Sequence, residues 1–174
     1  LGEVLGQAYP ERGVLFAFAP SEDGTKPSMK VAQIILEPIN AEPFVLRAET
    51  HLDSHCQASL LDLEQALKLQ PRNPRALWLY GRLLAATGQY DSALTAASEA
   101  VRFEPDNPRY RVTKAQILGQ VGRLKDAIAE AQQAISIAKN RPHVQARAQC
   151  LIGDLLASGP NPDYRQAIRY HMDA

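Results

Sequence analysis

Cysteine is scarce in this chain: Cys56 and Cys150 are the only two among 174 residues, and they lie far apart. Two cannot build a disulfide framework, and such sparse use favours a reducing compartment such as the cytoplasm. No apolar run approaches the ~20 residues that a bilayer-spanning helix requires. Neither sign of charge is in excess, and beside the single Trp78 only a few tyrosines are suited to stacking on bases. Both facts argue against nucleic acid as a partner, because non-specific affinity depends on concentrated positive charge. A basic leader is missing as well. The sequence opens on Leu1 with no signal-peptide pattern, so it reads as a fragment or a processed chain, compatible with a signal already removed. Also absent are a phosphate-cradling glycine loop, a nucleophile elbow and paired catalytic carboxylates. No catalytic residue and no cofactor is expected.

What is present is ordinary for a soluble globular protein: 45% apolar and 22% charged residues. The length suffices for one domain with a real core, or one domain plus an appendage. Charge is unevenly spread. Residues 1–69 hold five Lys and Arg against ten Asp and Glu, whereas 70–174 hold fourteen against nine. Such a split points to a polar ligand, a partner, or contact between the halves.

Self-similarity is the strongest signal. "NPRALWLYGRLLAATGQYDSALTAASEAVRFEPD", starting at Asn73, superposes on "NPRYRVTKAQILGQVGRLKDAIAEAQQAISIAKN", starting at Asn107, at a period of 34. Gly88 aligns with Gly122, Ala93 with Ala127 and Ala100 with Ala134. One period earlier stand Ser59, Ala66 and Pro71, preceded by Pro38. Later, Gly153 takes the role of Gly81 and Ala115, and Ala167 with Ala174 repeats the pair Ala127 and Ala134. The spacing there stretches to 40, attributed to extra residues around 141–145 and 158–162.

Each unit has a physical logic. Asn-Pro opens a helix with proline in its first turn, Leu77, Tyr80 and Leu84 recur at helical spacing, and Gly88 supplies the stop. A second helix restarts with Asp91 as a candidate N-cap and ends at Pro105. Gly81, Ala93 and Ala100 mark where two helices must approach too closely for a longer side chain. Antiparallel pairs of this kind, stacked on their neighbours, share one continuous core.

The pattern resembles the tetratricopeptide repeat family over about residues 41–174. The matching residues are Gly81, Leu84, Gly88, Tyr90, Ala93, Ala100 and Pro105, then Ala115, Leu118, Gly122, Leu124, Ala127 and Ala134. Lys139 departs from the pattern, standing where a proline belongs. The resemblance implies an all-α, right-handed superhelix of antiparallel helix pairs. Its four units would span 41–73, 74–107, 108–141 and 142–174, the last cut short at Ala174. Residues 1–40 form an appendage. "GVLFAFAP" and "MKVAQIILEP" have the β-branched content of a hairpin covering the open end of the array, while the repeat register would make 29–37 a helix. "LGEVLGQAY" before them reads as a short amphipathic helix.

His51, His55 and Cys56 suggest a metal site at first sight. In the repeat frame His51 closes one helix and His55 falls in the turn, so the shared helix face fails where a site would need it. No metal is expected. His143 and Cys150 lie seven apart on one helix, about 10 Å along its axis, too far for direct proton transfer.

In tetratricopeptide repeats the first helix of each unit lines a concave groove, and the resemblance implies that ligands lie there. Arg75, Trp78, Leu79 and Arg82 share one helix face. Their equivalents are Arg109, Val112, Thr113 and Gln116, then Arg147, Cys150, Leu151 and Asp154, with acidic Glu42, Val45, Leu46 and Glu49 in the first unit. The candidate binding residues are therefore Arg75, Trp78, Leu79, Arg82, Arg109, Thr113, Gln116 and Arg147. The Lys and Asn clamp of chaperone-tail binders is not reproduced, so that ligand is not expected. The reading is a non-catalytic interaction scaffold for an acidic, partly apolar peptide or protein segment, with no membrane partner and self-association open through the array ends. The alternative is an accessory repeat domain of a larger enzyme.

Overall fold

In a computed structural model of the chain, the backbone is described for residues 14–17, 32–35, 40–51 and 56–174, and the side chains for 40–51 and 57–174. The chain divides into two units, Leu1–Asn40 and Ala41–Ala174. In the first, β1 (Val14–Ala17) and β2 (Ala32–Ile35) pair antiparallel, with Val14 opposite Ile35 and Ala17 opposite Ala32. Branched residues at 14, 34 and 35 suit an extended, pleated backbone, so the helical alternative does not hold at 32–35. The short helix expected at the N-terminus lies outside the described residues.

The second unit is all helix. Its elements are α1 (Glu42–Thr50), α2 (Cys56–Leu69), α3 (Pro74–Ala86), α4 (Tyr90–Phe103), α5 (Pro108–Gln120), α6 (Leu124–Ile137), α7 (Pro142–Ser158) and α8 (Tyr164–Met172). The starts of α3 and α5 obey local chemistry: Asn73 Oδ1 accepts the Ala76 N–H at 3.0 Å, and Asn107 Oδ1 accepts that of Arg109 at 3.2 Å. Prolines 74 and 108 occupy first-turn positions where no N–H is needed. Gly88 and Gly122 end α3 and α5 at φ of 81° and 84°. There the Gln89 N–H bonds Leu84 O and the Arg123 N–H bonds Leu118 O, each at 2.9 Å. Asp91 does not cap α4 as its sequence position suggests. Gln89 holds that place, and Asp91 lies within the first turn, where its charge meets the positive helix end.

Small side chains let the pairs close. A methyl at Gly81 would stand 3.1 Å from Ala93 O and 3.3 Å from Ala97 N, so α3 and α4 touch backbone to backbone. Ala93, Ala97 and Ala100, and Ala127, Ala131 and Ala134 one unit on, are fully buried. Leu67 packs into both the α1–α2–α3 cluster and the α3–α4–α5 cluster, which makes the core continuous along the stack.

Successive first helices touch one another, α1 on α3, α3 on α5 and α5 on α7, whereas second helices of adjacent units do not. The layers therefore fan apart on the second-helix side, and the first helices form the inner wall. Two expectations for the last unit fail. α7 starts at Pro142, on the period set by Pro74 and Pro108, so no insertion lies before it. The extra length sits at its far end, where α7 runs 17 residues against 13 for α3 and α5. Ala174 is exposed beyond the end of α8, and only Ala167 takes a buried small-residue position.

Candidate functional site

The inner wall carries two adjoining depressions that share Arg82, Thr113 and Arg147. The smaller, about 150 Å³, lies among Trp78, Arg109, Val112, His143 and Val144. The larger, about 520 Å³, is floored by Ile117, Leu151 and Leu155, with Gln116 and Gln120 on its sides. No aspartate or glutamate lines either one. A cationic wall over an apolar floor results, contributed by α3, α5 and α7.

Six of the eight candidate residues meet there: Trp78, Arg82, Arg109, Thr113, Gln116 and Arg147. Leu79 does not. It is fully buried against Ala41, Val45 and Leu63, because this side of α3 is where α1 packs. Val45, the first-unit counterpart of Trp78, is fully buried in the same cluster. Arg75 is also diverted. Its guanidinium donates to Glu42 Oε1 at 2.7 Å and to Glu49 Oε2, tying α3 to α1. The hydrogen bond to Glu49 holds the Arg75 guanidinium above its ordinary pKa. The carboxylates expected to make the first unit acidic are thus engaged by Arg75. Asp154 likewise lies 3.5 Å from His171 on α8, not in the groove.

Trp78 is fixed from three sides. Its indole N–H donates to Thr113 Oγ1 at 2.7 Å, its ring lies 5.6 Å from that of Tyr110, and the Arg82 guanidinium sits 5.3 Å above it. It both packs on the next unit and walls the smaller depression. Arg147 donates to Gln116 Oε1 at a long 3.4 Å. Neither Arg109 nor Arg147 has a carboxylate within salt-bridge reach among the described residues. On the other face of α5, by contrast, Arg111 and Lys114 both pair with Glu130.

His143 and Val144 were not among the candidates, although one period beyond Arg109 falls on His143. The small-residue alignment at Gly153 hid that signal by shifting the unit four residues. Gly153 does mark a close approach, since a methyl there would stand 2.6 Å from the His171 imidazole. At the other end, His51 is the C-cap of α1, its N–H bonded to Arg47 O. His55 and the Cys56 side chain lie outside the described residues, among which no metal-ligating group of three or more occurs. No helix among the described residues is long and apolar enough to cross a membrane.

No curated protein matches the sequence. Among solved structures, MamA from Desulfovibrio magneticus RS-1 superposes with a TM-score of 0.66 at 18% identity, over 78% of this chain and 74% of that one. The Yersinia enterocolitica type III secretion chaperone SycD, solved with a peptide of the translocator YopD, gives 0.60 at 21%, over 66% and 90%. A mutant O-GlcNAc transferase of Thermobaculum terrenum gives 0.70 at 22%, over 76% of this chain but only 25% of the transferase. At these identities the likeness is one of fold. Two family models described as tetratricopeptide repeat match residues 57–117 and 108–141. Through residues 57–141, the chain belongs to the tetratricopeptide repeat family.

Proposed function

We propose that this chain is a non-catalytic scaffold that holds an acidic, partly apolar peptide segment along its inner wall. The observation that carries the reading is the groove's composition. Arg82, Arg109 and Arg147 line it without any carboxylate, beside a floor of Ile117, Leu151 and Leu155. Arginine suits such a surface because its planar fork gives two parallel bonds to a carboxylate and its stem covers apolar area. SycD, which shares the fold, was solved with a peptide of its translocator, and that supports a peptide as the class of ligand. A peptide array probed with the wild type and with Arg109→Ala plus Arg147→Ala is the direct test. Acidic peptides should be retained by the first and lost by the second. Equal retention would move the site elsewhere.

A second reading has one observation in its favour. The chain resembles a quarter of the transferase, as an accessory repeat segment of a larger enzyme would. Sequence on either side of residues 1–174 decides between them.

A further inference from the structure

From the smaller depression we infer a phosphoryl-binding subsite, so that the groove's ligand is a phosphorylated peptide segment. The inference rests on the groove being the binding site and adds which anion it selects. Cationic groups reach the depression from three helices, Arg82 from α3, Arg109 from α5 and Arg147 from α7, and the His143 imidazole lines it beside them. A carboxylate is planar, singly charged and served by one arginine fork. A phosphoryl group carries about −1.5 to −2 charges and presents three acceptor oxygens pointing in different directions, which donors converging from three helices can satisfy together. At about 150 Å³ the depression has the volume of about five waters at ~30 Å³ each, enough for one such group.

Register makes the point sharper. Arg75, Arg109 and His143 occupy one column of the repeat. Arg75 is neutralised by Glu42 and Glu49, while Arg109 keeps no carboxylate partner among the described residues. Thr113 supplies a further donor. It is 4% exposed and accepts from the Trp78 indole. Its own hydroxyl hydrogen is not spent on a helix carbonyl, as those of Thr50, Thr87 and Thr95 are. A buried hydroxyl with an unused hydrogen beside Arg109 and Arg147, which meet no carboxylate among the described residues, is a donor set waiting for a multivalent acceptor.

The test uses the full chain and three versions of one degenerate peptide array, with serine, glutamate or phosphoserine at the central position and leucine and glutamate around it. Trp78 fluorescence reads binding of the selected peptides, since it is the one tryptophan and walls the subsite. Phosphoserine peptides should bind about tenfold or more tighter than their glutamate versions. Arg109→Gln and Thr113→Val should each erase most of that preference, whereas Arg165→Gln on α8, which removes equal charge outside the groove, should keep it. Thr113→Ser, which retains the hydroxyl, should keep it too, separating the donor from any packing effect. Equal binding of glutamate and phosphoserine versions would overturn the phosphoryl assignment while leaving the groove reading intact. Binding of neither would remove both. Tighter binding of a single-stranded oligonucleotide than of any phosphopeptide, lost in Arg109→Gln, would also overturn it, assigning the subsite to a nucleic-acid backbone.

Discussion

The indole N–H of Trp78 on α3 donates to the hydroxyl of Thr113 on α5 at 2.7 Å, joining the inner helices of two successive units. Thr113 is nearly buried and Trp78 half-buried, so water cannot readily replace a lost partner. Thr113→Val keeps the volume and removes the acceptor. It should lower stability by about 1–2 kcal/mol, the range for stranding a buried donor. The urea midpoint should fall with the slope unchanged, and Trp78 emission should move as its N–H loses its partner. An unaltered midpoint would mean that this link contributes nothing to the stacking of the units.

Tyr110 lies beneath the same indole and is 5% exposed. Burial, reinforced by the neighbouring Glu104 carboxylate, pushes its phenol from 10 up to about 12. A pKa raised by folding means that the native state holds this proton after the unfolded chain has lost it. The contribution is therefore complete below pH 10 and declines as pH rises from 10 to about 12. Stability should drop by about 1–2 kcal/mol across that window. Denaturation midpoints at stepped alkaline pH check this. In Tyr110→Phe the part of the slope due to this residue should vanish, and an identical slope in the variant would assign the decline to other groups.

The helix pairs were legible because each depends on a residue type that sequence displays directly. Gly81 and the alanines facing it are small since backbone meets backbone there, and Gly88 and Gly122 are glycine since φ is positive. The groove was legible only in part. Helical spacing places Arg75, Trp78, Leu79 and Arg82 on one face, but it cannot say how neighbours divide that face. A first helix here touches its own partner and the first helices before and after it. The helix before takes Leu79 into the core and draws Arg75 to Glu42 and Glu49. His143 was missed for a different reason. α7 keeps the period at Pro142 and departs from it only at its far end, so aligning on Gly153 displaced its opening turns.

Gly88 separates backbone strain from crowding. A methyl there would meet nothing within 4 Å, yet φ is 81°. Gly88→Ala should cost about 1–2 kcal/mol from the left-handed conformation alone, offset slightly by a stiffer unfolded chain. Gly122→Ala, at the matching turn with φ of 84°, should cost the same within error. The sites lie in different units, so the double variant should show near-additive losses. Thermal melts of the three variants test this. A Gly88→Ala protein as stable as the wild type would show that the turn can shed its left-handed residue.

Ser59 offers the opposite case, a change that should stabilise. It occupies the position of Ala93 and Ala127 one and two periods earlier, and it is 1% exposed. Its hydroxyl has no hydrogen-bond partner among the described residues. Burying such a group unpaired costs about 1–3 kcal/mol, and alanine removes the penalty while retaining the small size that the α1–α2 approach demands. Ser59→Ala should therefore raise the melting temperature, with a gain of about 1 kcal/mol. Ser59→Val, which adds bulk at the same contact, should lower it. If alanine destabilised instead, the hydroxyl would have a partner in solution, and hydrogen exchange across α1 and α2 would show where protection is lost.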